Sequence, residues 1–432
     1  MKSPIKKGLR TGGIVLTSVA LSSMLIACSS DKTASSGDNK GSEKETIVWS
    51  YWGDPWEVDI NNQVEQAFEA KYPNINIEPQ HAPWSSYFDK LQTQMAAGEV
   101  PDVMFLDNVP SYAAKGVLMS IDDLVKEHGF DMNDFYEGQL TAFRYDGKLY
   151  GVPRDNDTKV LYYNKKLFDQ AGLKYPSQGW TWDEMREDAK KMTKMESGVT
   201  TQYGMAFEPD SWPLWVLANG GEIFDNYEKP TKTLLNSKQA ADAIQFMGDL
   251  MNVDKVAPSY DLQKDSSNIS QLFTTGRVGM IIGNHALVPS FQKTPGLEWD
   301  IAGIPTAKGV KPVNLAGGAG YAIAKNTKHK EAAYKLWSFL LGEEGQKIFT
   351  KSNVMVPTSK KVLASDDFMK QPYQANVFVE QTQAGHAMPT YSGWSEASSK
   401  LSSALQAVWI NQEKAGDAIS KVIPEVEATF KK

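Results

Sequence analysis

The chain has 432 residues, of which 41% are hydrophobic and 22% are charged, and its formal net charge at pH 7 is −7. This balance is typical of a globular protein with about two or three domains, and it excludes a collagen-like or broadly disordered chain. An acidic body without a basic stripe argues against nucleic acid as a partner. Cys28 is the only cysteine, so no disulfide can form within the chain.

The N-terminus has the pattern of a secretion signal. An apolar stretch from Ile14 to Ala27 follows four basic residues, Lys2, Lys6, Lys7 and Arg10. The stretch is too short to predict a transmembrane span, and it ends in "LIAC". That ending resembles a lipoprotein lipobox, in which the cysteine receives a diacylglyceryl group and becomes the first residue after cleavage. We therefore predict a signal peptide over residues 1–27 and lipidation at Cys28. An ordinary signal peptide with an incidental cysteine is the alternative.

Residues 28–44 are rich in Ser, Gly and charge and lack apolar periodicity, which predicts a flexible tether. The signal carries four positive charges and no negative ones, so its removal takes the net charge from −7 to about −11. The body is therefore predicted to work at the outer face of the cytoplasmic membrane, held there by its lipid.

The first part of the body alternates strands and helices about every 27 residues, which is the size of a βαβ unit. Strands are predicted at "TIVWSY", "INIEP" and "PDVMFLD". The helix after the first strand begins with Asp54 as N-cap and Pro55 at its first position, and Glu57 lies three residues past the cap. The next helix, "SYFDKLQTQMAAG", ends at Gly98.

The pattern changes at Asp146-Gly147, which signals a hairpin turn, and "KVLYYN" then starts a new strand. Thr181 and Glu184 match a capping box at the start of the helix "TWDEMREDAKKM". The helix "SKQAADAIQFMGDLMN" is amphipathic, with one face formed by Ala240, Ile244, Met247 and Met251. A further strand and helix follow in "GYAIAKNTKHKEAAYKLWSFLLG", and the tail from Ser392 is predicted to be helical.

This order of elements indicates an α/β fold. In an open α/β sheet, ligands bind beyond the carboxyl ends of the strands, where helix N-termini also point. Trp52, Asp54 and Trp56 occupy that position after the first strand.

Four stretches resemble one known family and occur in that family's order: "FDKLQTQMAAGEVPDVMFLD", "YGVPRDNDTKVLYYNKKLFDQAGL", "FTTGRVGMIIG" and "AGGAGYAIAKNTKHKEAAYKLWSFLLGEEGQ". Over almost its whole mature length the chain is similar to the carbohydrate-specific extracellular solute-binding proteins (family 1) of ABC transporters, which include the maltose-binding proteins.

The resemblance implies a two-lobed, periplasmic-binding-protein-like fold, in which each lobe is a mostly parallel sheet flanked by helices and the ligand lies in the interlobe cleft. By analogy, one lobe takes about residues 45–154 plus 305–354, and the other takes about 155–303 plus 357–432. We expect a monomer that is not an enzyme and uses no cofactor or metal, since the sequence has no zinc-ligand spacing, EF-hand loop, Walker loop or "GxSxG" motif. Such a protein captures a sugar and delivers it to ABC permease subunits. The aromatic richness favours an oligosaccharide, since each stacked ring needs its own platform.

Aromatic side chains are the first site candidates, because a flat ring can cover the C–H face of a sugar. Trp52 and Trp56 lie past the first strand, and Trp84 follows the second. Trp49 lies inside the first strand and is predicted to be core. Asp54 is a further candidate, although helix capping already explains it.

Side chains with two donors or acceptors can bind neighbouring hydroxyls. Asp107 and Asn108 end "VMFLDN", where members of the resembling family commonly place a hydroxyl-binding carboxylate; helix capping is the alternative role of Asp107. The "RDND" run falls at the presumed lobe crossover, and it either touches sugar or forms a solvated hinge. Its members are Arg154, Asp155, Asn156 and Asp157.

The second lobe offers further candidates. Glu208 and Trp212 lie in "FEPDSWPLWVLANGG", where Trp215 is predicted to be core. "GMIIGNHALV" departs from the family, because a tryptophan usually follows the glycine turn. Asn284 and His285 stand there instead and indicate a more polar contact with the ligand. The alternative for His285 is a loop histidine whose hydrogen bonds are satisfied within the protein. Glycine in "AGGAGY" lets backbone approach a ligand closely, and "MPTYSGW" adds aromatics. The candidates from these two loops are Gly318, Tyr321, Tyr391 and Trp394.

The sequence has three other interpretations. A glycoside hydrolase also uses aromatic residues and paired carboxylates, but this order of elements does not favour it. A ferric-binding protein would use adjacent tyrosines, yet Tyr162 and Tyr163 on one strand point in opposite directions. A sugar-sensing subunit for a membrane receptor is compatible with the sequence and stays open.

Overall fold

A computed structural model describes residues 44–351, 353 and 355–431. The predicted signal peptide and Cys28 lie outside these residues, as does the tether up to residue 43. Within the described part of the chain, no helix is both long enough and apolar enough to cross a membrane.

Strands and helices alternate from the first described residues onward. The elements of residues 45–156 are β1 (Glu45–Trp52), α1 (Pro55–Lys71), β2 (Ile75–Ala82), α2 (Trp84–Ala96), β3 (Val103–Leu106), α3 (Val109–Ala114), α4 (Asp122–His128), a 3-10 turn (Met132–Asp134), α5 (Glu137–Thr141), β4 (Arg144–Tyr145), β5 (Lys148–Leu149), β6 (Gly151–Pro153) and β7 (Asp155–Asn156).

The middle of the chain continues with short strands between longer helices. Its elements are β8 (Val160–Asn164), α6 (Lys165–Gln170), α7 (Trp182–Met192), β9 (Lys194–Glu196), β10 (Val199–Ala206), a 3-10 turn (Pro209–Ser211), α8 (Trp212–Ala218), α9 (Lys238–Asn252), α10 (Tyr260–Gln263), α11 (Ser266–Thr274), β11 (Val278–Gly283), a 3-10 turn (His285–Leu287), α12 (Val288–Lys293) and β12 (Trp299–Ala302).

The last third of the chain contains four short strands and ends in helices. Its elements are β13 (Asn314–Ala316), β14 (Gly320–Ile323), α13 (Lys330–Leu341), α14 (Glu343–Lys351), β15 (Val356–Pro357), α15 (Lys360–Leu363), α16 (Asp366–Met369), α17 (Asn376–Gln383), β16 (Gly385–Ala387), α18 (Trp394–Trp409), α19 (Ala415–Glu427) and a 3-10 turn (Ala428–Lys431).

Among the described residues, two five-stranded sheets form the centres of two lobes. The first has the order β2-β1-β3-β14-β6, and the second has the order β12-β8-β11-β10-β9. In the first sheet β1 runs parallel to β2 and β3, while β14 is antiparallel to β3 and β6. In the second, only β10 and β11 pair in parallel. The α/β class is confirmed, but both sheets are mixed rather than mostly parallel.

Three chain segments cross between the sheets. They run from β6 to β8, from β12 to β14, and from α14 to β15. The first and third pair with each other through β7 and β15. The first and second are in close contact where Gly318 lies against the backbone carbonyl of Asp155. The crossovers therefore form one bundle of backbone between the lobes.

Each sheet has its own apolar core. Trp49, Tyr321 and Trp337 belong to the core of the first sheet, while Trp215 and Trp409 belong to a core of the second. The other face of the second sheet is covered by a separate cluster. Each lobe can therefore keep its own packing if the other lobe moves.

One predicted grouping needs correction. Residues 305–316 were assigned to the first lobe, but they contact the second. The carbonyls of Pro305 and Thr306 accept hydrogen bonds from Trp182, and Ala307 donates to Ala218. Leu315 also packs against the core of the second lobe. The other predicted lobe boundaries stay a prediction.

Several local sequence signals form as predicted. Thr181 and Glu184 make a reciprocal capping box at the start of α7. Asp146 and Gly147 have positive φ and turn the chain between β4 and β5, as a hairpin turn requires. Asp54 stands at the N-cap of α1 with Pro55 following, although its side chain makes no capping hydrogen bond.

Candidate functional site

A cavity of about 440 Å³ lies where strands of both sheets end. Trp52 is the last residue of β1, Asp107 follows β3, and Asn284 follows β11. All three line the cavity, together with Arg154 and Gly318 from the crossovers. The predicted location beyond the carboxyl ends of the strands is therefore where the structure places a cavity.

A second cavity of about 410 Å³ continues from the first. Asp107 and Gly318 line both cavities. The far end of the second is formed by Met388 and Trp394. We call the space formed by the two cavities the interlobe cleft, because residues of both lobes line it.

Two indole rings form the aromatic end of the interlobe cleft. Trp52 and Trp84 meet edge to face, with ring centroids 5.3 Å apart. Trp84 also contacts Phe88 edge to face and remains 47% exposed. These contacts hold the rings at a fixed angle, so Trp84 presents aromatic surface before any ligand arrives. The side chain of Trp56 lies outside the described part of the structure, so its predicted role stays a prediction.

Asp107 lies at the junction of the two cavities. Solvent reaches its side chain, but the crowding of protein atoms around the carboxylate raises its pKa. Backbone N–H groups of Asp107 and Asn108 partly offset this effect by bonding the charged form. Asn108 also caps α3, since its side chain accepts a hydrogen bond from the Ser111 N–H. The carboxylate is thus anchored and open to a ligand hydroxyl.

The "RDND" run lines the cleft floor, but its members have different tasks. Arg154 is 3% exposed and pairs with Glu57 and Asp155. Its guanidinium lies between the rings of Phe105 and Phe349, 4.6 and 5.1 Å from their centroids. Burial disfavours its charge, but the two carboxylates outweigh this effect and raise its pKa. Burial is also the main cause that raises the pKa of both Glu57 and Asp155.

The last two members of the run connect chain segments. Asn156 is buried and donates to the carbonyl of Pro357 at 2.9 Å, which joins the first and third crossovers. Asp157 accepts a hydrogen bond of 2.5 Å from the side chain of Asn284 in the second lobe. It also pairs with Lys159 at 3.2 Å. Asp157 thus touches the second lobe directly.

Three aromatic residues that were predicted to contact the sugar are instead buried in the cores of the lobes. Trp212 is 1% exposed and packs in the second lobe. Tyr321 is fully buried beside Trp49 and Phe105 in the first. Tyr391 is 8% exposed, and its hydroxyl bonds Thr429. Each of the three packs against residues that are distant in the chain, and sequence spacing does not show such contacts.

Of the remaining predicted site residues, two line the cleft and two do not. Asp54 and Glu208 are not among the residues that line either cavity of the cleft. His285 lines the cavity but is 2% exposed, and its Nε2 bonds the Tyr373 hydroxyl at 2.9 Å. It is a buried loop histidine, close to the alternative interpretation, although its Nδ1 has no hydrogen-bond partner within the described residues. Trp394 lines the second cavity and contacts Phe224, while its contact with sugar stays a prediction.

Sequence reasoning missed some lining residues. The sequence pattern predicts only a helix-capping role for Glu57. In the structure Glu57 accepts a hydrogen bond from Arg154, which lies 97 residues further along the chain. Phe105 was interpreted as part of a buried strand, and Met355 and Met388 were not singled out. No local signal distinguishes these residues, because only the crossover geometry brings them to the cleft.

Comparison with known proteins identifies the family. The sequence profile of the bacterial extracellular solute-binding proteins matches residues 53–347. The chain belongs to this family. The resemblance seen in the sequence is thereby confirmed, and the proteins matched are described as binding proteins rather than enzymes.

Individual family members are similar over nearly their whole length. The maltodextrin-binding protein MdxE of Bacillus subtilis is 23% identical over 433 residues, which cover 98% of this chain and 99% of MdxE. A maltooligosaccharide ABC transporter solute-binding lipoprotein of Streptococcus pneumoniae serotype 4 is 24% identical, covering 98% and 99%. The structure of the ABC substrate-binding protein Lmo0181 from Listeria monocytogenes in complex with cycloalternan superposes with a TM-score of 0.79 at 28% identity, covering 90% and 99%. The two-lobed fold of this solute-binding protein is therefore confirmed.

Proposed function

We propose that this protein is a lipid-anchored receptor on the outer face of the cytoplasmic membrane that captures an oligosaccharide and delivers it to an ABC importer. The observation that carries the proposal is the interlobe cleft, which combines the indoles of half-buried Trp52 and exposed Trp84 with the open carboxylate of Asp107. Rings of this kind can cover sugar faces, and carboxylates can accept hydrogen bonds from sugar hydroxyls. The relatives named for maltodextrin and maltooligosaccharide, and the one holding cycloalternan, support the same ligand class.

The two adjoining cavities of about 440 and 410 Å³ support an oligosaccharide over a single ring. Trp52 and Trp84 line the first cavity, and Trp394 lines the second. Asp107 and Gly318 line both cavities, which therefore adjoin each other. A chain of sugars can thus use one aromatic platform at each end and the carboxylate in the middle.

Capture is proposed to bring the lobes together on the ligand. The crossovers are narrow segments, and the two lobes have separate cores. A ligand that touches both lobes favours the form in which it gains both sets of contacts. The bond from Asn284 to Asp157 is one contact between the second lobe and a crossover that such a movement would change.

Binding is tested by titration calorimetry of the signal-free protein with maltotriose, cellotriose, mannotriose and triacetylchitotriose. We expect micromolar binding of at least one, which corresponds to about −8 kcal/mol. Trp84→Ala should weaken that binding by about tenfold or more, since stacked aromatic contacts are worth about 0.5–1.5 kcal/mol beyond their buried area.

Tyr175→Ala is the matched control, because Tyr175 is similarly exposed, at 41% compared with 47% for Trp84, and lies outside the cleft. Its replacement should leave affinity unchanged. Absence of binding across the panel, or equal loss in both variants, would contradict the proposal.

The lipid anchor is tested separately through Cys28. Metabolic labelling with a radioactive lipid precursor should mark the parent protein and not Cys28→Ala. The variant should also leave the membrane fraction or stay uncleaved. Continued labelling of Cys28→Ala would exclude the predicted anchor.

A further inference from the structure

The charged side chains that line the interlobe cleft are strongly unbalanced. Four are carboxylic acids, and one is a base. They are Glu57, Asp107, Asp155, Asp157 and Arg154. A ligand that enters this space therefore meets an excess of negative charge, and the availability of each charge decides what can bind.

The single base of the cleft is already occupied. Arg154 donates two hydrogen bonds to Asp155, at 2.9 and 2.6 Å, and a third to Glu57. The central carbon of its guanidinium lies 4.6 and 5.1 Å from the ring centroids of Phe105 and Phe349. With 3% exposure and two carboxylate partners, the guanidinium presents almost no surface to an anionic ligand.

Nearby lysines are also engaged. Lys159 pairs with Asp157 at 3.2 Å, next to the first cavity. Lys400 lines a surface depression that adjoins the second cavity at Ser395, and it pairs with Glu425 at 3.2 Å. Among the described residues that line the two cavities of the cleft, none is a lysine.

Asp107, by contrast, has no cationic partner within the described ion pairs. The groups that bond its carboxylate are backbone N–H groups of residues 107 and 108. It lines both cavities and is exposed to solvent. Its negative charge is therefore available at the centre of the cleft, where a bound saccharide would lie.

We propose that this arrangement selects saccharides by charge: the cleft accepts neutral and amine-bearing sugars and rejects those with carboxylate, sulfate or phosphate groups. The inference rests on the proposed function and specifies its ligand class. An anionic sugar would lose its water shell in a space of reduced dielectric, next to an unpaired carboxylate and without a free cation. Such unpaired and like charges discriminate between ligands of similar shape. An ammonium group would instead gain a charge-assisted hydrogen bond with Asp107.

The experiment compares saccharides of the same length and linkage that carry different charges. Maltotriose, cellotriose, mannotriose and triacetylchitotriose are each titrated beside a derivative oxidised to the uronate at the primary hydroxyls, and triacetylchitotriose is also compared with its deacetylated triamine. For each neutral sugar that binds, we expect the uronate to bind about 100-fold more weakly at low salt. The difference in affinity between each neutral sugar and its uronate, called the gap below, should become smaller at high salt, because ions screen charges that solvent can reach.

Asp107→Asn locates the effect, because the amide keeps the size of the side chain and removes its charge. In this variant the gap between neutral and uronate sugars should shrink to about tenfold or less. Asp123→Asn is the control, since Asp123 is an exposed residue of α4 outside the cleft. It should leave the gap unchanged.

The outcomes separate this inference from the proposed function. Uronates that bind within about threefold of their neutral parents would overturn charge selection and leave sugar binding intact. An unchanged gap in Asp107→Asn would overturn the assignment to Asp107. Absence of binding by every saccharide would overturn the proposed function and this inference together.

Discussion

Arg154 pairs with Glu57 across the interior of the first lobe, where their side chains are 4% and 1% exposed. The two residues are 97 positions apart in the chain. Glu57 lies in the first turn of α1, directly after the turn that carries Trp52 into the cleft, and Arg154 begins the first crossover. The ion pair therefore ties the aromatic end of the cleft to the segment that joins the lobes.

Loss of this cation should destabilise the protein strongly. In Arg154→Met, the carboxylates of Glu57 and Asp155 would be left without their counter-ion in a buried place. Breaking a buried ion pair in this way costs about 3–5 kcal/mol of unfolding free energy. Urea denaturation followed by circular dichroism would measure it.

Arg144→Met provides the control for that measurement. Arg144 pairs with Glu137 at 3.5 Å, and the two side chains are 33% and 73% exposed. A pair open to water contributes about 0–1 kcal/mol, so this variant should stay close to the parent. Equal effects of the two substitutions would show that burial of the Arg154 pair does not matter for stability.

The contact of Gly318 with Asp155 gives a second prediction. Gly318 has a φ of 149°, and a Cβ there would lie 2.0 Å from the carbonyl oxygen of Asp155. Gly318→Ala must therefore separate the first and second crossovers. We expect a loss of more than about 1 kcal/mol in unfolding free energy, together with weaker saccharide binding.

The neighbouring residue makes this prediction specific. A Cβ at Gly317 would meet no atom within 4 Å. Gly317→Ala should accordingly keep the stability of the parent to within about 0.5 kcal/mol. Normal stability of Gly318→Ala would mean that the crossovers can move apart freely at this point.

Local sequence signals predicted the elements of the fold but not the direction of every side chain. Thr181 with Glu184 and Asp146 with Gly147 were recognisable because each feature depends on residues a few positions apart. The same holds for the place of the cleft, since strand ends follow from strand positions. These features need no knowledge of the distant chain.

Long-range packing decided the cases that sequence reasoning got wrong. Tyr321 faces the core because Trp49 and Phe105 lie on that side of β14, and His285 turns inward toward Tyr373 and Phe378. Each partner comes from a different part of the chain. The spacing around a residue does not reveal which side of its strand or turn the partner will occupy.

The buried position of His285 predicts a pH dependence of stability. Burial lowers the pKa of His285 to about 3, from an ordinary value near 6.5. Between these two values, the unfolded chain binds a proton at this residue and the folded protein does not. Stability is therefore lost as the pH falls from about 6.5 toward 3, by up to about 1.4 kcal/mol per pH unit.

Replacement of the histidine isolates this contribution. Denaturation of the parent and of His285→Gln at pH 7, 6, 5 and 4 (about one-unit steps across the window) should show a shallower loss in the variant. His329→Gln is the control, because His329 is more exposed and pairs with Glu45 at the surface. Parallel curves for the parent and His285→Gln would rule out the buried neutral imidazole.

The tryptophans of the first strand should separate folding from binding. Trp49 is fully buried, 4.5 Å from the Tyr51 ring, so Trp49→Ala leaves a core cavity and should cost about 3–5 kcal/mol of unfolding free energy. Trp52 lines the cleft beside Trp84, and a sugar that covers about 50 Å² on each partner gains about 2.5 kcal/mol. Trp52→Ala should therefore weaken binding by about 10- to 100-fold, since part of that surface stays wet, and should destabilise less than Trp49→Ala. Calorimetric titration and urea denaturation of both variants measure the two effects. If Trp52→Ala binds like the parent while its stability collapses, then Trp52 is a core residue and the aromatic end of the cleft depends on Trp84 alone.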